Sequence, residues 1–223
     1  MIEQTEINHH IQKHILSVLL YQQTARFRDM RPPRADTNLY SYHLTQLVKA
    51  GLVEKVEGGY TLGSAGLIYV DRLSTEKMRV REQPKIVTML VIQNSDGDVL
   101  LQRRKKQPYI DKWTLPYGKL HNDDASLMES ATREAAEKLN VHDQQMKHAG
   151  DCYIRVYHKD TLMTVTLVHV FTFYRDDIDI TDQLQWIQPH KLHTLDLAPA
   201  VDQIVARAFF RDEFFFEEFI ENW

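Results

Sequence analysis

Apolar residues return at helical spacing at Ile7, Ile11, Ile15, Val18 and Leu19, which predicts an opening helix. The next short piece, "ARFRDM", reads as helical and is stopped by Pro32 and Pro33, whose rings cannot continue a helix. Asp36 or Thr37 can cap a helix through "NLYSYHLTQLVKA", and Gly51 can close it. "LVEKV", "EGG" and "YTL" read as a small hairpin, and "SAGLIYVDRLS" as a last helix. The stretch "STEKMRVREQP" over 74–84 is polar and ends in proline just before a strongly apolar run. It marks a boundary, giving a domain at 1–76, a linker at 77–84 and a second domain at 85–223.

Beyond the boundary the period shortens to that of strands. "KIVTMLVI" is a buried strand, "NSDGD" a turn carried by Asp96-Gly97, and "VLLQRR" a returning strand. The loop "KKQPYIDKWTLPYGKLHNDD" leads to a helix at 126–139. Ser126 and Glu129 form an S-x-x-E capping box at its start, and Asn140 can take the left-handed conformation that stops it. "CYIRVYH" and "TLMTVTLVHVFTFY" alternate as two strands around Lys159-Asp160, and "DLAPAVDQIVARAFF" is a helix with Pro199 in its first turn. Strands and helices in this order enclose one sheet.

Composition narrows the class. Of 223 residues, 43% are hydrophobic and 26% charged, the balance of a soluble globular protein. One cysteine, Cys152, excludes an internal disulfide framework and fits a reducing compartment. No run approaches the roughly 20 apolar residues of a membrane span, and the start lacks a charged leader before an apolar core. A cytoplasmic protein with no membrane partner is expected. Charge is uneven: residues 1–82 carry 11 basic and 9 acidic side chains, and residues 83–223 carry 16 and 22. The first part tolerates an anionic partner without demanding one.

Ser41, His43, Leu44, Leu47, Ala50, Gly51, Leu52 and Val53 fall in the frame S-x-H-L-x-x-L-x-x-A-G-L-V, and "GGYTLGSAG" follows as wing and last helix. Residues 8–74 resemble the winged-helix regulators in this stretch. The resemblance implies an α+β winged helix whose third helix enters the DNA major groove. Leu44 and Leu47 belong to its core, which leaves Asn38, Ser41, Tyr42, Thr45 and Gln46 for base edges and Lys49 for phosphate. Lys55, Arg26, Arg28, Arg31 and Arg34 are further phosphate candidates. The alternative use of such a module is protein binding or dimerisation.

In the second domain, "W-T-L-P-Y-G" precedes Gly118, and Arg133, Glu134, Ala135, Glu137 and Val141 follow in order on the capped helix. These residues resemble the Nudix signature G-x5-E-x7-R-E-U-x-E-E-x-G-U, where U is aliphatic. Residues 84–210 share the surroundings of that signature, which implies an α/β/α sandwich with a mixed sheet. In the family the helix carboxylates hold Mg²⁺ against a diphosphate, so Gly118, Glu134 and Glu137 are the implied metal site, and Glu134 and Glu137 the catalytic pair of an active enzyme. Three departures stand out. The Gly118-to-Arg133 spacing is one residue longer than in the signature, Asp123 or Asp124 stands in for the loop glutamate, and Lys138 replaces the second glutamate of the E-E pair. That last exchange moves local charge by two units and repels a cation by about 4 kcal/mol per unit pair at 4 Å and an effective dielectric near 20. Lys138 follows Glu134 by four residues, the spacing of a helix ion pair.

Arg103 and Arg104 leave the second strand near the family's phosphate-binding area, and Tyr109 and Tyr117 are placed to stack on a base. The acidic loop at Asp176, Asp177, Asp179 and Asp182 reads as a solvated turn, with a compensating metal ligand as the other use. The end carries Phe209, Phe210, Phe214, Phe215, Phe216, Phe219 and Trp223, too much apolar area to leave in water. Either it packs back on its own domains or it joins two copies, and the second fits a winged-helix homodimer reading a palindrome. Two functions follow. One is a DNA-binding regulator that senses a nucleotide or phosphorylated metabolite. The other is a Mg²⁺-dependent Nudix pyrophosphatase acting on nucleoside diphosphate derivatives.

Overall fold

The computed structural model describes residues 7, 9–74, 79–80, 83–210 and 213–223. The chain separates into two compact units, Met1–Gln83 and Pro84–Trp223.

The first unit runs α1 (His10–Tyr21), α2 (Thr37–Lys49), β1 (Val53–Val56), β2 (Gly59–Leu62) and α3 (Ser64–Asp71). Ile11, Ile15, Leu16 and Leu19 of α1 are buried in one cluster with Tyr40, Leu44 and Leu47 of α2. Asp36 caps α2 by accepting from the Asn38 and Leu39 amides, both at 2.9 Å. Gly51 follows the helix with φ +68°, a conformation that suits glycine. The helix expected over "ARFRDM" does not form. Ala25 and Tyr60 exchange backbone hydrogen bonds of 3.0 and 2.9 Å, and residues 27–30 turn. Six residues make too few helical bonds to offset nucleation, whereas pairing Ala25 adds a rung to the hairpin.

The expected linker is partly structured. β3 (Leu73–Ser74) pairs antiparallel with β4 (Arg79–Val80). Residues 75–78 and 81–82 lie outside the described residues.

The second unit continues with β5 (Lys85–Gln93), β6 (Val99–Arg103), β7 (Trp113–Thr114), β8 (Tyr117–Lys119), α4 (Leu127–Leu139), β9 (Lys147–His158) and β10 (Thr161–Tyr174). β11 (Leu184–Ile187), a 3₁₀ turn (Pro189–Thr194), α5 (Val201–Phe210) and β12 (Phe215–Asn222) complete it. They build one eight-stranded sheet in the order β11-β6-β5-β10-β9-β12, with β7 on β6 and β8 on β5. β5 and β10 run parallel, as do β9 and β12, and the other pairs are antiparallel. One face packs Leu90, Ile92, Phe171 and Phe173 on Ala131, Ala135 and Leu139 of α4. The other packs Val87, Met89, Val168 and Val170 with Val201, Ile204 and Val205 of α5. Burial on both faces explains the unbroken apolar run of β5. This is an α/β/α sandwich on a mixed sheet.

Two details differ from the expectation. α5 begins at Val201, so Pro199 sits in the preceding turn, and Ala200 has φ +64°. The aromatic end folds back as β12 beside β9, burying Phe215 and Phe219. Phe214, Phe216 and Trp223 stay exposed, and the side chain of Phe210 lies outside the described residues. Among the described residues no helix is long and apolar enough to cross a membrane.

Candidate functional site

The capped helix α4 sets the first part of the site. Ser126 Oγ accepts from the Glu129 amide at 3.1 Å, and Glu129 reaches back to the Ala125 amide at 2.7 Å. Asn140 ends the helix at φ +55°, ψ +32°. Between these ends, Glu134 lies against Gly118 of β8 with its side chain only 5% exposed. The fit needs a glycine: a Cβ there would fall 1.7 Å from the Glu134 carboxyl carbon.

The Glu134 carboxylate is held from both sides by cations. Arg133 Nη1 donates to Oε1 at 2.8 Å, and Lys138 Nζ lies 3.0 Å from Oε2. Arg133 also grips Asp124 with two parallel bonds of 2.8 Å, and a further bond of 3.1 Å reaches the Lys119 carbonyl. Of the two possible loop acids, Asp124 is therefore the one that meets the arginine. The bidentate pair is charge-assisted and directional. With a bond from the His121 amide it holds the Asp124 carboxyl well below the usual carboxylate range, and it pushes the Arg133 guanidinium up.

A depressed folded-state pKa gives stability that is present above the unfolded value, about 3.9 for Asp, and lost as pH falls through the folded value. Wild type is therefore expected to lose stability through this pair only below about pH 4. Asp124→Asn should be less stable at neutral pH and show a shallower acid limb when ellipticity is followed against pH.

Glu137 is 59% exposed and 3.7 Å from Arg133 Nη1. Mg²⁺ takes near-octahedral oxygen ligands at about 2.0–2.1 Å. Both oxygens of Glu134 are engaged by cations, and Asp124, Glu134 and Glu137 do not bring one oxygen each within 4.8 Å of one another. The residues present do not fit the Mg²⁺ site that the motif implies. The acidic loop takes other partners: Asp176 accepts from the Ser95 amide at 2.7 Å, and Asp177 pairs with Arg175.

A cleft opens on the α5 side of the sheet, lined by Lys85, Arg104, Tyr109, Tyr117, Thr164 and Thr166 among others. Arg104 lies across it. Its guanidinium is 5.8 Å from the Tyr109 ring centre and 5.3 Å from that of Tyr117, and it hydrogen-bonds the Tyr117 hydroxyl and the Pro108 carbonyl. Tyr109 meets Thr164 at 3.2 Å, and burial raises its phenol pKa. The remaining space is about 100 Å³, against roughly 300–1,000 Å³ for pockets that take drug-sized ligands. A nucleotide would have to displace Arg104.

Arg103 is not among the cleft residues. It turns to Asp111, donating to its carbonyl at 3.2 Å, because successive residues at a strand end point to opposite sides. Lys85 and Thr164 went unread in the sequence. The parallel β5–β10 pairing that sets Lys85 opposite Thr166 joins segments some 80 positions apart and leaves no local signal.

In the first unit, Asn38, Ser41, Tyr42, Thr45 and Lys49 are exposed on α2 and Gln46 is half-buried. The opposite stripe of Tyr40, His43, Leu44 and Leu47 is buried. Arg26 and Arg28 are both drawn to Asp29, at 2.8 and 3.5 Å.

The sandwich, the capped helix and the glycine under its glutamate define a class of protein. The NUDIX domain model matches residues 83–208, more than half of the chain, and the chain belongs to the Nudix family. A search of curated proteins finds no match. Among solved structures, the chain is similar to the NUDIX domain of Shewanella oneidensis NrtR complexed with ADP ribose. The identity is 19% and the TM-score 0.49, over 64% of this chain and 95% of that one. It is also similar to the MutT protein from Methanosarcina mazei Go1, at 24% identity and TM-score 0.46, over 59% and 99%. A third match is Shewanella oneidensis NrtR complexed with a 27mer DNA, at 18% identity and TM-score 0.44, over 55% of this chain and 59% of that one.

Proposed function

We propose that the chain is a cytoplasmic DNA-binding regulator, working as a homodimer, whose Nudix domain binds a nucleotide or phosphorylated metabolite with little or no hydrolysis. The observation that carries this reading is the Lys138–Glu134 contact of 3.0 Å, which puts an ammonium where a metal-binding carboxylate belongs. The cleft around Arg104, Tyr109 and Tyr117 supports ligand binding, since it offers a guanidinium for phosphate and two rings for a base. The helix–hairpin–helix order of the first unit supports a winged helix. The exposed polar row on α2 supports its use on DNA, with Asn38 and Gln46 suited to adenine edges.

Fluorescence anisotropy with duplex DNA at low salt tests it. Sequence-preferring binding that shifts on adding a nucleotide metabolite is expected. Lys49→Ala should reduce the slope of log affinity against log salt by about 0.9, whereas Gln46→Ala should relax sequence preference. Absence of any preferred duplex at low salt overturns the DNA part of the reading.

A second reading, a weakly active pyrophosphatase, is favoured by the retained Gly118–Glu134–Arg133–Asp124 arrangement and by the exposed Glu137. Mg²⁺-dependent phosphate release that disappears in Glu137→Gln would establish it in place of the first.

A further inference from the structure

β9 and β10 pair with His169 opposite Asp151. The register then slips, with Val170 opposite Gly150 and Phe171 opposite His148, which leaves Ala149 as an extra residue. In a regular strand, positions three apart point to opposite faces. The bulge at Ala149 brings His148 round to the side of Asp151, as bulges do when they re-aim a side chain. His148 Nε2 lies 2.8 Å and His169 Nδ1 2.7 Å from the same oxygen, Asp151 Oδ1. The three side chains are 29%, 12% and 23% exposed for His148, His169 and Asp151, open enough for an ion to enter. Among the described residues they are the one group of three His, Cys, Asp or Glu donors with ligand atoms within 4.8 Å of one another.

The surroundings hold the group in place. The His148 ring stacks on buried Phe171 at 4.7 Å and 14°, and Phe214 meets it edge-on at 5.2 Å. His169 neighbours buried Thr88 in the β5–β10 pairing, on the side of the sheet where Thr88 approaches Ser130 of α4.

We propose that His148, Asp151 and His169 bind a divalent transition-metal ion of the Zn²⁺ type, at a site separate from Glu134 and Glu137. Two imidazole nitrogens and one carboxylate suit Zn²⁺, Ni²⁺ or Fe²⁺, whereas Mg²⁺ prefers an all-oxygen shell. Ligand atoms about 2.0–2.1 Å from a tetrahedral ion are roughly 3.3 Å apart. The present spacing opens to that by about half an ångström of ring movement. Each imidazole ligates through a bare nitrogen, so the proton that His148 Nε2 or His169 Nδ1 directs at Asp151 is exchanged through solvent to the other nitrogen of the same ring, with no net loss from the ring. Three protein ligands leave a coordination position for water or a small ligand.

Titration of the full chain with Co²⁺, read by its visible absorption and by competition with Zn²⁺, tests the site. Saturation at one equivalent is expected, with affinity at least tenfold lower in His148→Ala and His169→Ala. His169→Gln keeps a hydrogen-bonding side chain opposite Asp151, and its circular dichroism separates loss of a ligand from loss of the strand pair. The stacked His9 and His43 rings, 3.8 Å apart, are the competing histidines, so a His9→Ala/His43→Ala variant should retain this equivalent. No saturable uptake by wild type, or wild-type uptake by well-folded His148→Ala and His169→Gln, overturns the proposal.

Discussion

Lys138→Glu is expected to give the chain a Mg²⁺ affinity that wild type lacks. In wild type the buried Glu134 carboxylate is shared between Arg133 and Lys138, and only exposed Glu137 has an oxygen to spare. The substitution removes the ammonium and adds a carboxylate on the same turn of α4. Relieving one unit repulsion at about 4 Å and an effective dielectric near 20 amounts to about 4 kcal/mol, or roughly a thousandfold in affinity. Without metal the variant should be less stable than wild type, because Glu134 gains a like charge four residues away in place of a partner. With metal the order should change, since an ion that binds only the folded state stabilises it by mass action. The check is a pair of thermal melts with and without millimolar Mg²⁺. The midpoint should rise for Lys138→Glu and stay fixed for wild type. Lys138→Met separates the two contributions, because it removes the repulsion without adding a ligand and should respond weakly. Phosphate release from nucleoside diphosphate derivatives is the second readout, and it should appear in Lys138→Glu and vanish in Lys138→Glu/Glu137→Gln. An equal Mg²⁺ response in wild type would show that Glu134 gives up its cation partners readily, and would favour the enzyme reading.

What the sequence disclosed followed the range over which each feature is encoded. The limits of α4 are local, written in Ser126, Glu129 and Asn140, and the helix ends where they say. The Lys138–Glu134 pair follows from i,i+4 spacing alone and is legible in the sequence. The stand-in for the loop glutamate was legible only to within two adjacent aspartates, because the loop path decides which one turns inward, and that it meets Arg133 was not legible at all. Features that depend on distant strands were not legible. The "FFFEEF" end gives enough apolar area to demand a partner, but nothing local tells a strand beside β9 from a contact between two copies. The Ala25–Tyr60 bridge, the Lys85–Thr166 pairing and the convergence of His148 with His169 are of the same kind. The last also needs a one-residue bulge, which has no sequence period.

Gly118→Ala should damage the second unit more than any other single-methyl addition near the signature residues. The added carbon would sit 1.7 Å from both Cδ and Oε1 of Glu134 and 2.0 Å from Oε2, far inside any van der Waals separation. Neither side yields readily. Gly118 is fixed by β8 pairing with β5, where it lies opposite Thr88, and Glu134 is tied down by Arg133 and Lys138. Overpacking of this kind costs about 1–3 kcal/mol. Expelling Glu134 would also strip two half-buried cations of their partner, so the upper end of that range is expected. In a unit of this size the loss corresponds to a fall of about 6–12 °C in Tm at roughly 2–4 °C per kcal/mol. The diagnostic is the cycle with Glu134→Ala. If the collision is with the carboxylate, the double variant should be more stable than the sum of the two single losses predicts, by 1 kcal/mol or more on the scale of about 0.5–3 kcal/mol seen for residues in contact. Strict additivity would place the damage in the β8 backbone, and the glycine would then serve the strand rather than the glutamate lying on it.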